Sequence, residues 1–169
     1  MSKRIFIVHG WGGSPKEILH RLLQDRLSQK GFEVHALNMP NTNEPEINSW
    51  VSHLKKEVGK PDKETYFIGH SIGCQTIMRY LESLNEKTKV GGCIFIAGWF
   101  NLENMETKEE EIIAKPWIET PINLNKIRKM SEEISVYISS NEFYGYIKEN
   151  SNIFKEKLGA KITIIKNGD

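Results

Sequence analysis

The chain has 169 residues, 38% of them hydrophobic, and its 23 basic and 22 acidic side chains leave a net charge of +1. That length suits one domain spanning residues 1–169 and is too short for two ordinary cores. The balanced charge excludes the basic excess of a nucleic-acid binder and the acidic excess of a disordered chain, and no apolar stretch approaches the roughly 20 residues of a membrane span.

Ile5 to His9 is an apolar run, too short for a signal peptide and better used as a first strand. Gly10-Trp11-Gly12-Gly13-Ser14-Pro15 ends it, and Ile18, Leu19, Leu22, Leu23 and Leu27 then recur at helical spacing. Ser14 as cap, Pro15 at the first helical position and Glu17 three residues after the cap predict where that helix begins. Gly31 stops it. Phe32 to Leu37 reads as a second strand, and a loop rich in proline and asparagine runs from Asn38 to Asn48. A helix through Trp50, Val51, Leu54 and Val58 follows, then a third strand over Thr65 to Ile68.

Beyond residue 73, Ile77, Met78, Tyr80 and Leu81 mark another helix, and Val90 to Ala97 is an unbroken apolar run, as expected of a strand buried on both faces. The alternation lapses from Gly98 to Leu124, which holds two tryptophans, two prolines and the acidic residues Glu106, Glu109, Glu110 and Glu111; this reads as an excursion over the active-site end of a sheet. Ile134 to Ser139 restores the pattern as a strand, Tyr146 to Leu158 suits a helix, and Lys161 to Ile165 a last strand. Repeated strand–helix units predict an α/β fold: a three-layer sandwich around a mostly parallel sheet with right-handed crossovers. The two cysteines, Cys74 and Cys93, fall on a helix start and a strand, which reads as buried thiols in a reducing, cytoplasmic setting. No C-x-x-C pattern or other recognisable ligand spacing suggests a metal or cofactor.

Chemistry concentrates at Gly69-His70-Ser71-Ile72-Gly73, placed between a strand and a helix as a nucleophile elbow is. A turn that tight leaves no room for a Cβ at Gly69 or Gly73 and strains the backbone of Ser71, lifting its hydroxyl clear of the sheet. Ser71 is therefore the candidate nucleophile, the other reading being a serine that caps the following helix. His9-Gly10-Trp11-Gly12-Gly13 is the second glycine-rich turn, where an oxyanion hole belongs. The backbone N–H groups of Trp11 and Ile72 are its candidate donors, each worth about 3 kcal/mol where such donors have been removed. A phosphate-binding loop is the rival reading of that turn, but neither G-x-x-x-x-G-K-[S/T] nor G-x-G-x-x-G is present.

A serine hydroxyl needs a base, and the base an orienting acid. The loop after the strand ending at Ser139 reads Ser140-Asn141-Glu142-Phe143-Tyr144, so Glu142 is the candidate acid and Asn141 its weaker neighbour; Glu142 as an exposed carboxylate near a helix start is the bland alternative. The five histidines are His9, His20, His35, His53 and His70, and none follows Ser71. His70 is adjacent to Ser71 but should diverge from it and pack beside the strand end. His9 is expected to support the oxyanion turn, and the other three fall on elements where solvated or half-buried histidines are common.

The spread of His9-Gly10-Trp11-Gly12-Gly13, Trp50, Gly69-His70-Ser71-Ile72-Gly73 and Ser140-Asn141-Glu142 resembles the small α/β-hydrolases related to retinoblastoma-binding protein 9 and the bacterial YdeN-like proteins, over nearly the whole chain. The resemblance implies a single-domain serine hydrolase with a shortened sheet, little or no lid and a Ser–Asp–His triad. Ser71 matches its nucleophile, and Glu142 falls where the family usually has aspartate followed by proline; Phe143 stands in that proline's place, a departure. The family's histidine belongs to a Gly-His-Phe motif after the last strand, followed by a terminal helix, whereas this sequence ends at Asn167-Gly168-Asp169. The expectation is a C-terminally truncated domain with impaired hydrolysis, natural loss of the base being the competing explanation. The first functional hypothesis is a serine hydrolase cleaving a small ester or amide, with Trp11, Trp99 and Phe100 lining an acyl pocket. The second is a catalytically inert interaction module on the same scaffold, binding a protein partner, and the third keeps the fold but changes the reaction to that of a lyase or perhydrolase.

Overall fold

The computed structural model describes residues 3–167; Met1, Ser2, Gly168 and Asp169 lie outside the described residues. Six parallel strands form one sheet in the order β2-β1-β3-β4-β5-β6. They are β1 (Arg4–Val8), β2 (Glu33–Leu37), β3 (Thr65–His70), β4 (Gly92–Ile96), β5 (Ile134–Ser139) and β6 (Lys161–Ile165). The helices between them are α1 (Ile18–Gln29), α2 (Ile47–Val58), α3 (Ile72–Ser83), α4 (Lys108–Glu119), α5 (Leu124–Met130) and α6 (Ile147–Leu158). The chain leaves β1 toward β2 and then crosses back to place β3 on the other side of β1. In open parallel sheets the crevice at such a reversal, beyond the C-terminal strand ends, is where ligands are bound. Val8 pairs with Gly69 across that point, so both glycine-rich turns leave the sheet there side by side.

The sheet is the middle of three layers. On one face a large apolar cluster joins Phe6, Phe67, Phe95 and Val136 to Trp50 and Leu54 of α2, Ile77, Met78 and Leu81 of α3, and Phe154 of α6. On the other, Ile5, Ile7 and Ile68 pack with Leu23 and Leu27 of α1. α3 is enclosed from Ile72 to Leu81, so the β3–α3 junction opens into a buried helix. Among the buried side chains Arg79 donates to the carbonyls of Trp117 and Thr120, tying α3 to the end of α4.

Four sequence expectations need correction. The first helix begins at Ile18 with Glu17 as cap, not at Pro15; Ser14 N–H does bond the Glu17 carboxylate at 3.3 Å, and Ser14 Oγ accepts from Lys16 N–H, so the capping residues are spent on a tight turn before the helix. Ile18, Leu19 and Leu22 are exposed, because the face turned to the sheet carries His20, Leu23 and Leu27 instead. The lapse of the strand–helix pattern over residues 98–124 conceals a helix: α4 forms there, capped by Thr107, which accepts from Glu110 N–H at 3.1 Å, and continues through Pro116. Finally β4 is shorter than the apolar run, Val90 making only an isolated bridge to Ser131, and Ile94 on that strand is 38% exposed, so β4 is not covered on both faces.

Candidate active site

Ser71 sits at φ 52°, ψ −120° between the end of β3 and the start of α3, a conformation that costs an L-residue of order 1–3 kcal/mol and persists only where its surroundings enforce it. They do so through main chain. Ser71 N–H donates to Ile96 O at 2.9 Å and its carbonyl accepts from Cys74 N–H at 3.0 Å. A Cβ on Gly69 would lie 2.8 Å from the Cys74 backbone, and one on Gly73 would run into the Val8 carbonyl and lie 2.8 Å from His9 O. The two glycines thus let α3 cross within backbone contact of β1 and β3. Ile72, the first residue of α3, has an N–H with no intrahelical acceptor and lies at the positive end of the helix dipole.

The turn after β1 packs against this elbow: a Cβ on Gly10 would stand 3.3 Å from His70 Nδ1 and 3.5 Å from Ser71 Cβ. His9, almost wholly buried, holds the turn with both ring nitrogens. Nε2 accepts from Met39 N–H at 3.2 Å, so Nδ1 carries the proton and donates to Gly10 O at 2.8 Å. Burial pushes the His9 pKa down, against the opposing pull of the Gly10 carbonyl. Trp11 is anchored by its indole N–H, which donates to Asn43 O at 2.8 Å. No turn or loop acceptor among the described residues engages the N–H of Trp11 or of Ile72.

These groups border a cavity of about 400 Å³ that brings together Gly10, Trp11, His70, Ser71, Trp99 and Glu142. Leu102, Met105, Ile138, Tyr144 and Ile147 give it an apolar wall, and Glu110 of α4 adds a second carboxylate. The excursion from Gly98 therefore does border this cavity. Ser71 Oγ accepts a hydrogen bond from the Trp99 indole N–H at 3.2 Å. Asn141 is not part of the cavity wall; it bonds back to Ser139 at the end of β5. Phe100 lies behind the wall, its ring 4.6 Å from that of Phe154.

None of the histidines hydrogen-bonds to Ser71 Oγ among the described residues. His35 stacks on Phe6 and pairs with Glu33 at the outer strand β2, and His53 lies on α2. His70 borders the cavity with its backbone fixed in β3, while its Nδ1 is buried without a partner and its ring lies 5.6 Å from that of His20. Burial, and next the neighbouring His20, hold the His70 pKa below its ordinary value. The residues that sequence reasoning missed are Glu110 and Asn150 on the cavity wall and the bond from Trp99 to Ser71. Each arrives from a distant stretch of chain, and only Glu110 had a local signal, the Thr107-x-x-Glu110 capping pattern.

Residues 5–168 match the family described as serine hydrolase. YdeN of Bacillus subtilis (strain 168), a relative named as a hydrolase, is 33% identical over 99 residues, which are 59% of this chain and 52% of that protein. The match thus spans about half the length of this relative. The crystal structure of the B. subtilis ydeN gene product superposes with a TM-score of 0.88 at 23% identity, covering 99% of this chain and 87% of that one. A carboxylesterase of Nitrososphaera gargenis (TM-score 0.71, 14% identity, 99% and 83% covered) and a monoacylglycerol lipase of Paleococcus ferrophilus (0.70, 14%, 99% and 86%) share the fold.

Proposed function

Because the chain belongs to the serine hydrolase family, we propose that it cleaves a small, uncharged ester or amide through an acyl-Ser71 intermediate. The observation that carries this reading is the strained Ser71 elbow opening into an apolar cavity of about 400 Å³ that also holds a carboxylate, Glu142. In the first step Ser71 Oγ attacks the carbonyl carbon while its proton passes to a base; no described histidine is bonded to Ser71 Oγ, so the proton travels through water to one of the groups bordering the cavity, His70 or a carboxylate. The C=O electron pair moves onto oxygen, where the N–H groups of Trp11 and Ile72 stabilise it. Collapse expels the alcohol or amine, which takes up that proton, and water then attacks the acyl-Ser71 carbonyl by the same route. Glu142 serves to orient the base and offset its charge. The described wall carries Glu110 and Glu142 but no lysine or arginine, which disfavours anionic substrates. Trp11, Leu102 and Met105 would hold the apolar part of the acyl group.

Since the Ser71 hydroxyl is engaged by an indole rather than an imidazole, slow acylation is expected. The test is intact-mass analysis after exposure to a fluorophosphonate, with a short p-nitrophenyl ester as substrate. A single adduct located on Ser71, absent in Ser71→Ala together with ester turnover, supports the reading. No adduct at Ser71, or turnover that survives Ser71→Ala, overturns it. The indole contact gives a second reading its support, an inert scaffold that binds partners through the same cavity, and a missing adduct would favour it.

A further inference from the structure

Three histidines, His9, His20 and His70, crowd beneath the two glycine-rich turns, with ring centroids 6.3 Å apart for His9 and His20 and 5.6 Å for His20 and His70. His9 is accounted for, since both its nitrogens serve backbone groups. The other two are not. His20 is only 1% exposed, and its Nδ1 faces Ser14 O and the Glu17 carboxylate, each at 3.1 Å. Two such acceptors place a proton on Nδ1, while Nε2 is buried with no partner. His70 Nδ1 is buried without one as well. Leaving two polar nitrogens orphaned in one place is costly, so the pair calls for something that satisfies both.

We propose that Glu17, His20 and His70 form a binding site for a divalent metal ion of the zinc type, set behind the serine elbow. One ligand atom from each of the three residues lies within 4.8 Å of the others, a spacing that modest side-chain rotation closes around an ion bound at about 2.0–2.2 Å. The ligand types, two imidazoles and a carboxylate, suit zinc rather than calcium or magnesium, which take oxygen sets. His20 already has the support that metal-binding histidines use, its Nδ1 facing the Ser14 carbonyl at 3.1 Å, and Glu17 would leave its own contact with Nδ1 to reach the ion. Glu17 contributes the negative charge, and being exposed it gives the ion a route from solvent. His70 is the last residue of β3 and precedes Ser71 directly. An ion held on its ring would tie the first helix to the elbow. Sequence spacing conceals the set: Glu17 and His20 are three residues apart, but His70 arrives from a strand fifty positions further on.

The experiment is calorimetric titration of the chelator-treated chain with Zn²⁺, paired with the visible absorption of Co²⁺ as a report on nitrogen and oxygen ligation. One saturable site per chain is expected, weakened at least about tenfold by Glu17→Gln and by His20→Asn. Glu17 is exposed, so its variant folds whatever becomes of the buried one. Ser71→Ala and His35→Gln should leave binding unchanged. The Ser71 control keeps a failure of the hydrolase reading separate from a failure of this one. Absence of saturable uptake, as when a buried water fills the space, overturns the proposal. So does uptake that persists in both Glu17→Gln and His20→Asn, or uptake lost in His35→Gln.

Discussion

The cavity has two walls built on different principles. The elbow wall is held by main chain: Ser71 is fixed by its bonds to Ile96 and Cys74 and by the close passage of α3 over Val8 and His9. The opposite wall, drawn from residues 98–105 and 142–147, is held largely by side chains, and its keystone is Asn150 on α6. Asn150 Oδ1 accepts from Phe100 N–H at 2.8 Å and Asn101 N–H at 3.1 Å, and its Nδ2 donates to Asn101 O at 3.0 Å. Around it Glu103 N–H bonds Tyr144 O at 2.9 Å, and the Asn104 side chain bonds Phe143 O at 2.8 Å. The place of Ser71, the proposed nucleophile, is therefore insensitive to most side-chain changes, whereas the loop carrying Glu142 depends on a few polar contacts. A scaffold divided this way keeps the Ser71 elbow still while the opposite wall of the cavity changes by substitution.

The sharpest break of that contrast is Gly73→Ala. The new methyl would meet the carbonyls of Val8 and His9, both backbone atoms of a central strand and the turn it enters, so relief requires moving β1 or α3. A loss of about 3 kcal/mol or more is expected, read as a fall in the urea midpoint or in soluble yield. An unchanged midpoint would mean that the elbow is not set by backbone contact. Asn150→Leu tests the other wall. It strands the N–H groups of Phe100 and Asn101 and should cost about 2 kcal/mol, while Ser71 keeps its geometry. Ester turnover should then change through KM more than through kcat, and a pure kcat effect would show that this wall reaches the chemistry directly.

The same division explains what was legible in the amino-acid order. Strands, helices and the elbow are local matters: apolar runs, 3.6-residue periodicity, and two glycines at the positions where a Cβ has no room. Four of the five strand-to-helix transitions are therefore visible as pattern, and so is the glycine-flanked turn that holds Ser71. α4 was obscured by Pro116 and its acidic first turn, although Thr107 three residues before Glu110 is a cap signal. The start of α1 was misplaced because Ser14 and Glu17 bond each other before the helix begins. The polar contacts of the second wall had no such signal, since Asn150 meets Phe100 only after α6 has folded back onto β5. The same holds for Glu17 and His20 against His70.

Trp99→Phe carries the smallest effect and isolates one bond between the two walls. Trp99 follows β4 and is 5% exposed, and its main-chain carbonyl accepts from Gln75 Nε2 at 2.9 Å, an interaction that phenylalanine retains. What the substitution removes is the indole N–H that reaches Ser71 Oγ at 3.2 Å. One hydrogen bond of about 0.5–1.5 kcal/mol corresponds to a rate change of less than about twelvefold. If the indole holds Oγ pointed into the cavity, fluorophosphonate labelling of Ser71 slows within that range while the urea midpoint moves by no more than about 1 kcal/mol equivalent. Faster labelling would mean that the indole restrains a hydroxyl which must turn away to react, and the contact would then belong to the resting state of the site rather than to its reactive arrangement.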